Sequence, residues 1–140
     1  MATRGRWMAG GRGLAVGDFD NDGDVDLLMT TNNGPAVLFR NDRPSSNRSI
    51  RFRLVGTASN RDAIGATVRI FHDGTSQMRT VRTGSSYLSQ SELPVTFGVG
   101  PRERIDRVEI TWPRGRTEEF RNLVTGRRYQ CVEGKGLTEG

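Results

Sequence analysis

Five aspartates occur at alternating positions within nine residues of a chain whose formal net charge is +5. Acidic side chains at the first, third and fifth positions of a tight loop direct their oxygens at one centre, and a glycine at the sixth position permits the turn. That glycine is Gly23, the seventh position offers its backbone carbonyl, and the ninth offers a further carboxylate. An all-oxygen ligand set favours Ca²⁺ over zinc or copper. The sequence therefore predicts a calcium loop with the ligands Asp18, Asp20, Asp22, Asp24 and Asp26.

This acidic loop does not have the full EF-hand pattern. An EF-hand ends on a bidentate Glu at position twelve, where this chain has Met29 in a β-prone run. Apolar or β-prone residues occupy positions 14–17 and 25–31, so the loop is predicted to connect two strands. Without a cation the clustered carboxylates repel one another and loosen the loop. The alternative is a solvated acidic turn that holds no ion.

Composition indicates an all-β protein that contains one ordinary domain, or one domain with an appendage. The chain has 140 residues, 34% hydrophobic content and 18 glycines, and it lacks a long apolar helical stripe. No run approaches the roughly 18 apolar residues of a membrane span. Residues 1–13 lack the apolar segment of a signal peptide, so an export signal is expected outside this chain.

The single cysteine and the single histidine argue against disulfide, transition-metal and hydrolase chemistry. Cys131 has no partner for an internal disulfide and is predicted to be buried in the last strand. His72 precedes Asp73-Gly74, a hairpin-turn signal, and no second histidine is available for a metal or catalytic pair. The chain is therefore predicted not to be an enzyme, although a hydrolase accessory domain stays open as an alternative.

Twenty of the 21 basic residues are arginine, a bias typical of a GC-rich genome. These bases are scattered and are not interleaved with aromatics, which argues against a nucleic-acid partner. A β-sandwich that binds an anionic glycan is the other alternative, because outward-pointing arginines on neighbouring strands would share one face. The arginines assigned to that face are Arg51, Arg53, Arg69, Arg79 and Arg82.

Turn and linker residues, mainly Gly, Pro and Asn, divide the chain into a short N-terminal unit and a larger β domain. Residues 1–13 are predicted to be disordered, 14–42 to form three strands, 43–48 to be a linker, 49–134 to form the domain, and 135–140 to be a disordered tail. Apolar and polar residues alternate over 50–55 and 105–112, the pattern of strands with one buried face. A hairpin is predicted over 63–83, further strands over 95–99 and 117–120, and one closing strand over 123–132. Seven or so such strands indicate a β-sandwich or a jelly-roll-like barrel.

Two stretches resemble known families. Residues 17–27, followed by Leu38-Phe39-Arg40-Asn41, resemble an FG-GAP or VCBS-type repeat, a blade element of calcium-binding β-propellers such as those of integrin α-subunits. Residues 50–132 resemble the ASPIC/UnbV domain of cartilage-acidic-protein-like secreted proteins, through positions 61–66, 84–91, 97–100 and 108–115. The resemblance implies a partial propeller blade before the β-sandwich.

The lone repeat departs from propellers, which close with several blades. If the missing blades belong to a longer protein, apolar side chains of the repeat should be exposed. In the alternative, the repeat packs against the sandwich as an extra sheet. The side chains concerned are Leu14, Val16, Leu27, Leu28 and Leu38.

The predicted function is a secreted, calcium-binding, non-enzymatic module for cell adhesion or ligand binding, with an extracellular protein or glycan as partner. Residues 84–91, Gly-Ser-Ser-Tyr-Leu-Ser-Gln-Ser, are rich in hydroxyl and amide groups and are the candidate contact loop. The alternative role of this loop is a structural turn whose hydroxyls bind local backbone groups. The candidate contact residues are Ser85, Ser86, Tyr87, Ser89 and Gln90.

Overall fold

The computed structural model describes residues 10–42, 46–84 and 87–140, and these form an all-β protein with three sheets. The N-terminal sheet has the order β1-β2-β3, and two four-stranded sheets have the orders β11-β10-β4-β7 and β6-β5-β8-β9. The strands are β1 Gly11–Gly17, β2 Asp26–Thr31, β3 Val37–Phe39, β4 Arg48–Val55, β5 Thr67–His72, β6 Thr75–Thr80, β7 Val95–Gly100, β8 Arg104–Thr111, β9 Thr117–Val124, β10 Arg127–Val132 and β11 Gly136–Glu139. No helix of a length and apolarity that could cross a membrane is found in the described residues.

The two four-stranded sheets enclose one hydrophobic core, so the predicted β-sandwich is confirmed. Strand β4 shows why: Ile50, Phe52 and Leu54 are buried, while the arginines between them point outward. Phe52 packs edge-on against Phe97, with the ring centroids 6.2 Å apart, and stacks on Tyr129 at 5.9 Å. The core also contains Trp112, which is almost fully buried.

Two predictions near the C-terminus are wrong. The single strand predicted over 123–132 is divided between the end of β9 and β10, which lie in different sheets, because Gly126 turns the chain with φ = 70°. The tail predicted as disordered over 135–140 contains β11, which pairs with β10 after a turn in which Lys135 N–H donates to the carbonyl of Val132. Cys131 is buried as predicted, although β10 is not the last strand.

The N-terminal sheet begins earlier than its apolar residues indicate. Strand β1 starts at Gly11, so the disorder predicted for 1–13 is wrong for its last three residues, and residues 1–9 lie outside the described part. Gly13 fits here because a Cβ would lie 2.7 Å from Ser89 Oγ and 2.9 Å from Thr30 Oγ1. Of the predicted linker 43–48, residues 43–45 are not described, and Arg48 already belongs to β4.

The N-terminal sheet both docks on the sandwich and exposes apolar side chains. Its strand β1 receives hydrogen bonds from, and gives them to, residues 89–92, so the sheet packs beside the sandwich. The five apolar residues tested by the blade hypothesis are nevertheless 39–46% exposed. Exposure was expected of a blade without its neighbours and docking of a sheet that packs on the sandwich, so each expectation is met in part and the blade stays a prediction.

Candidate calcium loop

The acidic loop connects β1 to β2, as predicted, and its aspartates bind its own backbone. Asp20 Oδ1 accepts the N–H of Asp22 at 3.3 Å, and Asp22 Oδ1 accepts the N–H of Asp24 at 2.8 Å. Asp18 Oδ2 accepts the N–H of Gly23 at 3.2 Å. Gly23 has φ = 97°, a conformation that glycine adopts without strain. These bonds wind the loop tightly and bring alternate carboxylates to its inner side.

Three aspartates converge. Oxygens of Asp18, Asp20 and Asp22 all lie within 4.8 Å of one another, with Asp18 buried and the other two exposed. Oδ1 of Asp18 is also buried, yet it accepts no hydrogen bond in the described part of the chain. A buried carboxylate oxygen without a partner is costly, and a hard cation that is coordinated by oxygen would satisfy it. The three residues therefore fit calcium in donor type and in spacing.

The other two predicted ligands lie outside this group. Asp26 is buried at the start of β2, where its two oxygens accept the N–H groups of Phe19 and Asn41, each at 2.8 Å. The bond from Asn41, and then that from Phe19, lower the pKa of Asp26. The carboxylate thus braces the loop to the chain that follows β3. Asp24 donates its N–H to Asp22 within the loop. The predicted role of its carbonyl as a ligand stays a prediction.

Arg51 connects the loop to the sandwich, a role that the sequence did not reveal. Its Nη1 lies 2.5 Å from Asp18 Oδ2, and its Nη2 pairs with Glu92. The Arg51 side chain is only 12% exposed and that of Asp18 is fully buried. Burial raises the pKa of Glu92, with Arg51 acting in the opposite direction. Arg51 is therefore not free to contact a glycan, contrary to the alternative that placed it on a glycan-binding face.

Hydrogen bonds to uncharged groups of the loop add to this junction between loop and sandwich. Arg128, on β10, donates to the carbonyl and to Oδ1 of Asn21, the latter at 2.9 Å. Ser49 Oγ, on β4, donates to the carbonyl of Gly23 at 2.7 Å. The loop consequently lies against two adjacent strands of the β11-β10-β4-β7 sheet.

The candidate contact loop splits into structural and exposed residues. Ser89 Oγ accepts the N–H of Leu14 at 2.9 Å and donates to the carbonyl of Tyr87 at 2.9 Å, so it serves the fold. Tyr87 is 65% exposed and Gln90 is also exposed, and their role as contacts stays a prediction. Ser85 and Ser86 lie outside the described residues.

The five arginines proposed as one glycan-binding face do not share a face. Arg51 and Arg53 lie on β4, whereas Arg69 and Arg79 lie on β5 and β6 of the opposite sheet. The predicted alternation of inward and outward side chains within each strand was correct. The sequence could not specify which strands are neighbours in a sheet. Arg82 follows β6 and is exposed.

Other polar groups are held in the fold. His72 closes the predicted hairpin, where its ring nitrogens contact Thr75 Oγ1 and Gln77 Nε2. Burial, and then Glu118, raise the pKa of Cys131 to about 12, so its thiol is protonated at neutral pH.

Glu133 is a buried carboxylate that the sequence analysis did not single out. Its Oε2 accepts the consecutive N–H groups of Thr57, Ala58 and Ser59 at 2.9, 2.9 and 2.7 Å. Its Oε1 accepts Ser59 Oγ at 2.9 Å. The bond from the Ser59 N–H has the largest part in lowering the pKa of Glu133. This carboxylate fastens the loop after β4 to the turn between β10 and β11.

The fold defines an all-β protein in which a sandwich carries a smaller sheet with an aspartate loop. Residues 56–138 match the family described as ASPIC and UnbV, and the chain belongs to that family. It is similar to cartilage acidic protein 1 of Homo sapiens, with 31% identity over 127 residues, which are 88% of this chain and 19% of the relative. The Mus musculus protein of that name is 34% identical over 110 residues, 76% of this chain and 17% of the relative. The chain thus spans about a fifth of the length of these relatives.

Proposed function

We propose that this chain is a calcium-binding, non-enzymatic adhesion or ligand-binding module of an extracellular protein. The observation that carries the proposal is the buried Oδ1 of Asp18, which has no partner in the described residues and belongs to the group of three converging carboxylates. Similarity to cartilage acidic protein 1 supports the extracellular location. The placement of His72 in a hairpin, between hydroxyl and amide partners, supports a role without catalysis.

In this proposal residues 14–42 are an FG-GAP or VCBS-type repeat that packs against further blades in a longer protein. Three antiparallel strands with the acidic loop between the first two support it. The exposed leucines of β1, β2 and β3 supply the apolar surface that a neighbouring blade would cover.

Asp18, Asp20 and Asp22 would hold the ion, which supplies the positive charge that three converging carboxylates need. Arg51 holds Oδ2 of Asp18 and so leaves Oδ1 as the free ligand atom. Because Arg51 also binds Glu92, the ion site is coupled to the sandwich. Calcium then acts as a structural ion that fixes the surface shared by the loop and the sandwich.

Calcium titration by calorimetry and by thermal melting tests the proposal. We expect a dissociation constant on the order of 10⁻⁴ to 10⁻³ M, the range of extracellular calcium modules, and a calcium-dependent rise in Tm. The variant Asp20→Asn/Asp22→Asn keeps oxygen acceptors for the Asx turns but removes two charges, and it should lose both responses. The control Asp62→Asn/Asp106→Asn has the same charge change at exposed positions outside the loop and should retain both. No heat and no shift in Tm for the unmodified chain would refute calcium binding.

A further inference from the structure

The outer face of the β11-β10-β4-β7 sheet is basic. Alternation places Arg51 and Arg53 of β4 on this face, because Ile50, Phe52 and Leu54 point into the core. The parallel register pairs Arg51 with Arg128 of β10 and Arg53 with Gln130. In the described strands of this sheet the one acidic residue is Glu139 of β11, which lies opposite Tyr129 and pairs with Arg127, so the charges of Arg51, Arg53 and Arg128 depend on partners from elsewhere.

Only one of the three arginines is neutralised. Arg51 is paired with Asp18 and Glu92, as described above. Arg128 is held by two oxygens of Asn21, which carry no charge. Arg53 is exposed and makes no ion pair with any described residue. Two adjacent strands thus present two guanidinium groups whose charge is uncompensated, and the acidic loop orients one of them.

These groups line a shallow groove. Arg51, Arg53, Arg128, Gln130 and Asn21 border a cavity of about 230 Å³. Asn21, Arg51 and Arg128 also border a second cleft of about 510 Å³, to which Arg48 and Arg127 contribute. The two cavities share Asn21, Arg51 and Arg128. In the second cavity Arg127 is paired with Glu139 and Arg48 with Glu103, so Arg53 and Arg128 are the arginines whose charge is left for a ligand.

The opposite sheet shows that this basic face is not a mere result of the net charge. There Arg107 lies 2.8 Å from Glu109 and 3.2 Å from Glu119, and Arg121 lies 2.7 Å from Glu119. Arg107 also stacks over the ring of Phe71 at 3.9 Å. The charges of Arg107 and Arg121 are thus neutralised by nearby carboxylates, which weakens the positive potential of that part of the sheet.

We propose that the groove bordered by Arg53 and Arg128 binds the sulfate or carboxylate groups of an acidic polysaccharide. Planar guanidinium groups bind such oxyanions with two parallel hydrogen bonds. Nucleic acid fits less well, because Tyr129, the one aromatic among the described residues that border the groove, is buried against Phe52 and offers no stacking surface. This inference rests on the proposed extracellular function, for which it names the class of ligand.

Binding to immobilised heparin, measured at several salt concentrations, tests the groove. We expect steep salt dependence and about tenfold weaker binding for Arg53→Gln/Arg128→Gln, since two charge-assisted contacts are lost. The control Arg69→Gln/Arg104→Gln makes the same change of charge on the opposite sheet and should bind as the unmodified chain does. Arg53→Gln alone keeps the contact between Arg128 and Asn21, and should show a smaller loss.

Soluble hyaluronan and single-stranded DNA, used as competitors, distinguish the ligands. If hyaluronan, which has carboxylates but no sulfates, does not compete with the immobilised heparin, the groove requires sulfate; if it competes, carboxylate is sufficient. Preference for DNA, or equal loss of binding in both double variants, would overturn the proposal.

Calcium calorimetry on each variant separates the calcium-site proposal from the polysaccharide-groove proposal. Heparin binding that persists in Asp20→Asn/Asp22→Asn upholds the groove even where calcium binding fails, and calcium binding without heparin binding refutes the groove alone.

Discussion

The sandwich and the N-terminal sheet are built from the same kind of strand, but they are stabilised in opposite ways. In the sandwich, alternate residues of facing strands enclose Trp112, Phe52 and Phe97, which are excluded from solvent. In the N-terminal sheet, the buried residues are the charged Asp18 and Asp26, while its leucines remain exposed. Apolar burial therefore stabilises one region, and hydrogen bonds and ion pairs hold the other.

This contrast explains why an ion would matter for one region and not for the other. A three-stranded sheet without an apolar partner is close to the limit of independent stability. Its junction with the sandwich consists of contacts such as Arg51 with Asp18 and Ser49 with Gly23. We therefore expect the N-terminal sheet to be the part of the described chain that opens first.

Matched leucine substitutions should give the largest difference between the two regions. Leu54→Ala, in the sandwich core, should lower the free energy of unfolding by about 2–5 kcal/mol, because it leaves a cavity among fixed neighbours. Leu28→Ala, on β2, should cost less than about 1 kcal/mol, because that side chain is 42% exposed. Urea denaturation followed by tryptophan fluorescence measures both. Equal costs would show that the N-terminal sheet has an apolar core of its own.

Arg51→Gln should separate the sheet from the sandwich. Removal of this guanidinium leaves Asp18 and Glu92 without their shared counter-charge, at a cost of roughly 3 kcal/mol. Hydrogen exchange should accelerate in β1 and β2 more than in β8, and calcium affinity should fall. Arg53→Gln is the control, because it lies on the same outer face of β4 without an ion pair, and it should change stability by less than about 0.5 kcal/mol. Uniform acceleration across both regions would contradict the assigned role of Arg51.

Glu133→Gln probes the sandwich by pH. The folded protein lowers the pKa of Glu133 through the N–H groups of residues 57–59, so the carboxylate stabilises the fold at pH values above the unfolded pKa of about 4.3. That contribution is lost as pH falls through the lower folded pKa. The variant should melt on the order of 10 °C below the unmodified chain at pH 7, and the gap should narrow below about pH 4.

The control for this pH series is Glu103→Gln, whose carboxylate belongs to an 83% exposed side chain. Its melting curve should follow that of the unmodified chain at every pH. A gap for Glu133→Gln that keeps its size down to pH 3 would mean that lost packing, and not lost charge, causes the destabilisation.

Local patterns predicted the strands well and their partners poorly. Alternation over 50–55 and 105–112 identified β4 and β8, because one buried face leaves a period of two in the sequence. The signals for β11 were present in Gly134-Lys135-Gly136, where both glycines have positive φ, but a short polar segment at the end of a chain also reads as a tail. The predicted strand boundaries were therefore wrong where a glycine forms a turn between two strands of one sheet.

The acidic loop was recognised from its spacing, but its attachment was not. Asp18 and Arg51 are 33 residues apart, and Glu92 is 41 residues beyond Arg51. No local pattern indicates that three charges from three segments meet, since the meeting depends on sheet order. For the same reason the sequence grouped Arg51 with Arg69, which the structure places on opposite sheets.

The parallel pairing of β4 with β10 also has a consequence for the kinetics of folding. Strand β10 lies between β4 and β11, so the middle of one sheet is filled by residues close to the C-terminal end of the domain. Such long-range pairing slows folding, because a large loop must close before the contacts form. Arg51 and Arg128, which hold the acidic loop, stand side by side only in that register. During synthesis the loop, although made first, would gain its complete docking surface only after the ribosome has released β10.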